Sequence, residues 1–474
     1  MESGKSYEWR PAVIADLKPY PEYKDSGLPW LGKVPGHWEV FPHRALFNEV
    51  IDPGHQDEEM LSVTITRGII KQKALLENSS KKDSSRKNRS AYKLVCQKDI
   101  AYNKMRAWQG AIGVSDLRGI ISPAYIVMRL RNSNSLPKFY HHLFRTPLFA
   151  KEAERWSYGI TSDMWSLRSE DFKQIYSPLP PPAEQAAIVR FLDWSNGRLD
   201  RAIRAKRKVI ALLSEQKQAI IHRAVTRGLD PNVRLKDSGI PWLGEIPEHW
   251  EVVRNSALFS VRIEEGIPGL PVLQVSLHSG VTTEEFDQFG RPKRLIDDHT
   301  KYKLARKGDL AYNTMRMWQG AIGVSPVDGL VSPAYVVIAP RNKTYSFFYE
   351  YVFRTALYKQ QVNRNSTGIV SDRNRLYWDS LKQMANILLP IVEQRAICEF
   401  ILEHTSSLDN AISRLEREID LLREYRTRLV ADVVTGKLDV REVASRLTDE
   451  TIVDDTTDAD VLDDDTDLDV EDND

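Results

Sequence analysis

The stretch AYNKMRAWQGAIGVS occupies residues 101–115 and returns as AYNTMRMWQGAIGVS over residues 311–325, with 13 of 15 positions identical. A phrase repeated about 210 residues further on is either a relic of duplication or the mark of a protein that faces something with two halves.

Working outward, KDSGLPWLGKVPGHWEV at residue 24 returns as KDSGIPWLGEIPEHWEV at 236, with 13 of 17 positions identical. SPAYIV at 122 returns as SPAYVV at 332, and PPAEQAAIVRFLD at 181 aligns with PIVEQRAICEFIL at 390. AVTRGLD at 224 aligns loosely with VVTGKLD at 433. The offset stays between 209 and 212. That period is too long for a solenoid repeat, so the chain reads as two copies of one two-part module.

The first three-quarters of each copy is mixed. Gly, Pro and Asn punctuate short β-branched or aromatic runs such as 120–129 and 330–338, which read as strands of an α/β or α+β domain. The last quarter changes period. Ile188, Leu192, Leu199, Ala202, Val209, Leu213 and Ile220 fall on three- and four-residue steps, as do Ile401, Leu408, Ile412, Leu415, Ile419, Leu422, Leu429 and Val433. This is the seam of a long helix. Pro180-Pro181-Pro182 and Pro390 mark where each helix begins, and Ser195-Asn196-Gly197 is expected to break or kink the first. With one such helix per copy, the simplest partner for each seam is the other. The expectation is a mixed α/β protein with two globular domains joined by two long antiparallel coiled-coil helices. About 30 helical residues span roughly 45 Å, and one turn of B-DNA is about 34–36 Å. Such a connector suits a ruler between two half-sites.

The chain of 474 residues is 42% hydrophobic and 28% charged, the balance of a globular protein, and has no apolar run long enough for a membrane helix. Its opening residues carry no secretory pattern. Cys96 and Cys398 lack CxxC partners and read as two buried thiols in a reducing cytosol. The formal net charge of zero misleads. Residues 449–474 hold 14 acidic residues and no Lys or Arg, which leaves 66 basic against 52 acidic in the body. A solvated, disordered acidic tail on a basic body fits a body that meets a polyanion.

The search for catalytic motifs is negative: no NPPY or DPPY tetrad, no GxGxxG, no complete P-loop, no HExxH, and no histidines at metal spacing. Nothing here supports catalysis by this chain alone, and no metal site is expected. In the repeated phrase, Asn103, Arg106 and Gln109, with Asn313, Arg316 and Gln319, are types that hydrogen-bond base edges. They are equally types that tie down a turn, in which case Trp108 and Trp318 would be core. Two halves reading different sequences should differ in their reading residues, so a shared phrase better suits the frame or phosphate contact. The divergent stretches are the better candidates for readout. KKDSSRKNRSAYK at 81 supplies Lys81, Lys82, Arg86, Lys87 and Arg89; RPKRLIDDHTKYKLARK at 291 supplies Arg291, Lys293 and Arg294. Basic clusters of this kind suit phosphate. Arg67 and His278 fall at equivalent points after strands at 61–65 and 273–277, where a loop could reach a groove.

Together the LPWLGKVPGHWEV, GDLAYNTMRMWQGAIGVS, SPAY and LPPPAEQAAIVRFLD blocks resemble the DNA-specificity subunit of type I restriction–modification systems, across about residues 24–446. The resemblance implies an N-terminal extension over 1–23, target recognition domains over 24–180 and 236–389, helical spacers over 181–235 and 390–446, and a tail over 447–474. It implies a cytoplasmic, non-catalytic subunit that reads a bipartite double-stranded DNA site. It also implies docking of methyltransferase subunits, expected as two, with restriction subunits joining them. S-adenosylmethionine, ATP and Mg would belong to those partners. Apolar residues off the seam suit such docking: Phe191, Ile203, Ile210, Leu212 and Ile221 on the first helix, Phe400 and Val430 on the second. An autonomous DNA-binding protein without enzyme partners is the alternative, and an enzyme of unrecognised motif is a third reading that activity of the purified chain would reveal.

Overall fold

β-branched and aromatic runs pair as antiparallel strands in each copy, and the pairing is the same in both. In the computed structural model, which describes residues 17–76, 89–132, 135–160, 164–240, 243–277, 279–283, 301–368 and 374–447, the chain divides into two compact units. One is built from Met1–Lys206 with Arg417–Asp474, the other from Arg207–Glu416.

The first unit centres on a four-stranded sheet in the order Phe47–Glu49, Tyr125–Leu130, Ile100–Asn103, Ile112–Val114. The second has Phe259–Val261, Tyr335–Pro340, Leu310–Asn313, Ile322–Val324 in the same order. The register is also shared. Tyr125 faces Asn103 as Tyr335 faces Asn313, and Ala101 faces Gly113 as Ala311 faces Gly323. The runs at 120–129 and 330–338 are each two strands, not one. Ser122–Tyr125 and Ser332–Tyr335 form tight turns, with the tyrosine N–H donating to the serine carbonyl at 3.0 and 2.9 Å. The residues before each turn pair elsewhere, as Gly119–Ile121 with Lys93–Val95 and as Gly329–Val331 with Lys303–Ala305. The proline in SPAY fixes the turn that periodicity alone does not see.

Pro182–Arg227 is one helix of 46 residues and Ile391–Val434 one of 44. The expected break at Ser195-Asn196-Gly197 does not occur. Poor helix formers cost about 1 kcal/mol or less each, and burial of Leu192 and Leu199 on either side outweighs that. Within the first unit, Asp200 pairs with Arg426 and Lys206 with Glu418. Rising numbers meet falling ones, so these helical segments run antiparallel. In the second unit Lys217 pairs with Asp409, while Gly228 lies beside Glu393, which gives the same sense. The apolar seam is buried towards the globular parts, at Ile188, Leu192, Leu199, Leu429 and Val433 in one unit and at Ile401 in the other, where Ile220 is half-buried. Val209, expected on the seam, is 44% exposed.

Each core is aromatic. Trp38, Phe139, Tyr140, Phe144, Phe149 and Phe172 are fully buried in the first; Trp250, Phe348, Tyr349, Phe353 and Tyr358 in the second. The first unit is closed by residues from both ends of the described chain. Lys18 bridges Asp439, the Tyr23 hydroxyl donates to the Lys437 carbonyl at 3.1 Å, and Arg441 stacks over Tyr20 at 5.2 Å. Glu184, in the first helical turn, accepts from Trp38 Nε1 at 2.8 Å and from the Tyr20 hydroxyl, and Glu393 accepts from Trp250 Nε1 at 3.1 Å. A carboxylate at a helix N-terminus is favoured by the helix dipole, and here it also satisfies a buried indole. Cys96 and Cys398 are unpaired and half-buried rather than buried. No helix among the described residues is long and apolar enough to cross a membrane.

Candidate nucleic-acid interface

The repeated phrase folds into a strand, a turn and a strand. Asn103 Oδ1 accepts from the Met105 N–H at 3.0 Å, the Trp108 indole donates to the Met105 carbonyl at 2.9 Å, and a single 3-10 turn ends at Gly110. The second copy repeats each bond through Asn313, Met315, Trp318 and Gly320. The asparagine side chains are thus engaged inside the turn, and Asn313 also meets the Tyr335 hydroxyl. Trp108 and Trp318 are half-buried, Trp318 packing against the second core, whereas Trp38 and Trp250 are fully buried. Trp108 packs edge-on to Trp165 at 5.5 Å.

Two further loops meet this turn in the first unit. The tip of the hairpin Leu61–Thr64 and Gly68–Lys71 lies against it: a Cβ on Gly110 would sit 3.9 Å from Ile65 Cγ2. The loop closed by Tyr158 and Ser166 joins through Leu167, whose N–H donates to the Lys104 carbonyl at 2.8 Å. Lys104, Met105, Tyr158, Ile160, Met164 and Arg168 line a concavity of about 580 Å³ there. Ile160 is 92% exposed and Tyr158 57%. Exposed apolar side chains beside cations are the composition that grips bases and phosphates together. The second unit repeats the loop junction, with the Leu376 N–H on the Thr314 carbonyl at 2.9 Å and a Thr367–Arg375 bridge closing the loop; a Cβ on its Gly320 would instead meet Lys359.

Behind the turn, both strands start at a buried aspartate held by a forked arginine. Asp99 receives Arg129 at 2.6 and 2.7 Å, and Asp309 receives Arg262 at 2.5 and 3.0 Å. Arg129 comes from the central strand, whereas Arg262 follows the edge strand. The ion pair is kept while its arginine changes strand. Each pairing holds the guanidinium above its usual value, the hydrogen-bonded carboxylate being the main cause.

Of the sequence-predicted DNA contacts, Gln109, Gln319 and Arg316 are exposed, and Arg106 and Arg67 are half-buried. Arg67 sits at the hairpin tip, its N–H on Thr64 Oγ1 at 3.0 Å. Arg89 is half-buried beside a one-turn bond to Tyr92. Lys81, Lys82, Arg86, Lys87, His278, Arg291, Lys293 and Arg294 lie outside the described residues, as does the acidic tail. Of the docking candidates, Phe191 is fully buried in the first core and Ile203 is buried against the same unit, so neither presents a surface; Ile221 is likewise buried in the second core. Phe191 and Ile221 pack into the aromatic cores of their units. Ile210, Phe400 and Val430 are half-buried, with Phe400 stacked on His404, and Leu212 is 56% exposed. Leu402, Leu421 and Tyr425 are also exposed on the second helix.

Sequence reasoning missed the loop at 158–166 and the arginines at 145 and 354. Both were announced by repeats at the common offset: SYGITSD at 157 against STGIVSD at 366, and FRT at 144 against FRT at 353. Arg145 donates to the carbonyls of Ile65 at 2.8 Å, Ile112 at 3.1 Å and Thr64 at 3.5 Å, and to that of Thr66. Arg354 donates to the Leu277 carbonyl at 2.6 Å and pairs with Glu350 at 3.1 Å.

The fold is thus a duplicated mixed-sheet unit with a surface cluster of turns and a long helix per copy. Comparison with known proteins agrees with the resemblance read from the sequence: the chain is similar to specificity subunits of type I restriction enzymes. "Putative type I restriction enzyme MjaX specificity subunit" of Methanocaldococcus jannaschii is 21% identical over 438 residues, covering 87% of this chain and 96% of the relative. The type I restriction enzyme MjaVIII specificity subunit of the same organism is 24% identical over 289 residues, 57% of this chain and 64% of the relative. A solved chain from work on complex assembly and conformational transition of the type I R-M system shares the fold. Its TM-score is 0.57 at 16% identity, over 85% of this chain and 99% of that one. No family model matches the chain.

Proposed function

We propose that this chain is the sequence-reading subunit of a type I restriction–modification complex. Each unit reads one half of a split double-stranded DNA site, and the paired long helices set the gap between the halves. The observation that carries this reading is the shared frame with divergent tips. Sheet order, register and turn are the same in both units, while the described tip residues differ, Ile65 and Arg67 in the first against Leu277 and Ser279 in the second. A common frame positions and a variable tip specifies. The chain itself carries no catalytic role in this reading. Methyltransferase subunits, and restriction subunits with them, dock on exposed apolar residues of the helices such as Leu212, Leu402 and Leu421, and they bring S-adenosylmethionine, ATP and Mg.

Genome-wide mapping of adenine methylation, with and without this gene in cells holding its methyltransferase partner, tests the proposal. A motif of two short halves with a fixed gap, lost on deletion, supports it. Unchanged methylation rejects it and favours a DNA binder without enzyme partners.

Two predictions follow from the assigned roles. Lys87→Ala with Arg89→Ala weakens binding to every duplex alike and makes the slope of log K against log salt shallower by about 1.8, from roughly 0.9 per phosphate contact. Loss of one sequence with gain of another, in salt-titrated binding assays, contradicts a phosphate role. Four residues inserted near Leu199 add about 6 Å of helix and either lengthen the preferred gap or abolish binding. A gap preference that stays the same, read from the methylated motif, removes the helices from spacing.

A further inference from the structure

In each unit an arginine from the same FRT repeat reaches behind the hairpin tip. Arg145, just after the helix Pro137–Phe144, spends its donors on main-chain carbonyls: Thr64, Ile65 and Thr66 of the tip, and Ile112 of the neighbouring strand. Main-chain carbonyls carry no sequence information, so this grip is indifferent to which side chains the tip displays. The packing leaves no slack. Gly68 has φ +73°, and a Cβ there would stand 3.4 Å from both Arg145 Nη1 and His141 Cε1. The second unit keeps the glycine and the arginine: Gly280 has φ +73°, and its Cβ would stand 3.4 Å from Arg354 Nη1. What changes is the neighbour one helical turn back. His141 accepts the Val114 N–H through Nδ1 at 3.1 Å, and Glu350 accepts the Val324 N–H at 3.0 Å. Either side chain ties the adjacent strand to the arginine's helix, so His and Glu fill one structural role.

We infer that Arg145 and Arg354 are positioning residues for base reading, each aiming the hairpin tip of its own unit and thereby setting the specificity of one half-site only. This rests on the function proposed above. The tip's outward residues, exposed Thr66 and half-buried Arg67, are the ones a groove would meet, and a tip that rocks by an ångström loses the angle that a base-edge hydrogen bond needs. A lysine cannot replace the fork. One ammonium keeps the charge but spans neither the two strands that Arg145 bridges nor the Leu277 carbonyl and Glu350 that Arg354 joins.

The test uses the full chain with its methyltransferase partners in cells, comparing wild type, Arg145→Lys and Arg354→Lys by genome-wide methylation mapping, with melting of each purified chain. Arg145→Lys is expected to raise methylation about tenfold or more at sites mismatched in one half of the motif while the other half stays strict; Arg354→Lys does the converse. An even fall of methylation at all sites with the motif intact overturns the inference, since a merely structural arginine behaves that way. So does relaxation of the same half by both variants. A second variant guards against misfolding: Ile65→Leu, Thr66→His and Arg67→Ser place the second tip on the first frame and are expected to change the bases accepted in one half. Retention of the original bases overturns the inference. A wild-type chain that yields no split motif refutes the proposed function itself and this inference with it.

Discussion

Gly436→Ala is expected to lower the stability of the first unit by about 3–5 kcal/mol, as read by urea or thermal unfolding. The glycine follows the second long helix with φ +78°, and a Cβ there would lie 2.3 Å from Pro35 Cδ, 2.7 Å from its Cγ and 3.1 Å from the Trp38 ring. The left-handed backbone costs an alanine about 1–2 kcal/mol. The remainder comes from pushing apart a buried proline and a fully buried tryptophan, which have no soft direction in which to give. Gly228, its counterpart after the first long helix, supplies the control. It has φ +72°, but its nearest neighbours are Glu393 Oε1 at 3.2 Å and Trp250 at 3.4 Å. A carboxylate can swing aside, so Gly228→Ala is expected to cost only about 1–2 kcal/mol. Equal losses at the two positions would show that the close approach to Pro35 plays no part.

Acid is expected to weaken the first unit through His43. This ring is fully buried among Phe47, Phe144, Phe149 and Phe172, with Nε2 on Ser177 Oγ at 2.7 Å. Burial pushes it down to about 3. Above the ordinary histidine value near 6.5 the ring is neutral folded and unfolded, and the full stability is present. As pH falls below that value only the unfolded chain takes the proton, so stability drops by about 1.4 kcal/mol per pH unit until the folded ring itself titrates. The expected loss from this one group is about 2 kcal/mol at pH 5 and about 3 kcal/mol at pH 4. The second unit has Asn255 at the corresponding place, bonded to the Tyr358 hydroxyl at 2.7 Å and the Leu381 carbonyl at 2.8 Å, and an amide does not titrate. His43→Gln should remove this share of the pH slope whatever it does to stability at neutral pH. A ring that titrates near 6.5 by NMR would falsify the argument.

Much of the plan was legible in the residues because it was written twice. The duplication, the mixed strand-and-helix content and the two long helices all came from repeats and periodicity, and the structural neighbour covering 85% of the chain shares this fold. Within the candidate site, the favoured reading of AYNKMRAWQG as frame rested on its sameness in both copies, and the side chain of Asn103 is indeed spent on its own turn. Other features were not legible. Trp38 and Trp108 sit in equally turn-rich phrases, yet only Trp38 is sealed, because the start of one helix and the end of the other close over it. Phe191 lay off the heptad seam and so looked like a docking residue, but it packs into the core of the first unit. A heptad pattern says which residues face the partner helix and nothing about what covers the other side.

The sequence by itself determined that there are two copies of one unit, that each pairs a mixed globular part with one long helix, and which segments differ between the copies. These are local facts, fixed by periodicity, by proline and glycine, and by identity across an offset. The tertiary structure alone decided that the first unit closes with residues from both ends of the described chain, that Asp99 and Asp309 draw their arginines from different strands, and that Arg145 reaches carbonyls as many as 81 residues away. Each of these depends on long-range approach. A main-chain carbonyl is present at every position and leaves no mark in the sequence, so a side chain that binds only carbonyls shows its purpose only when the fold brings them to it.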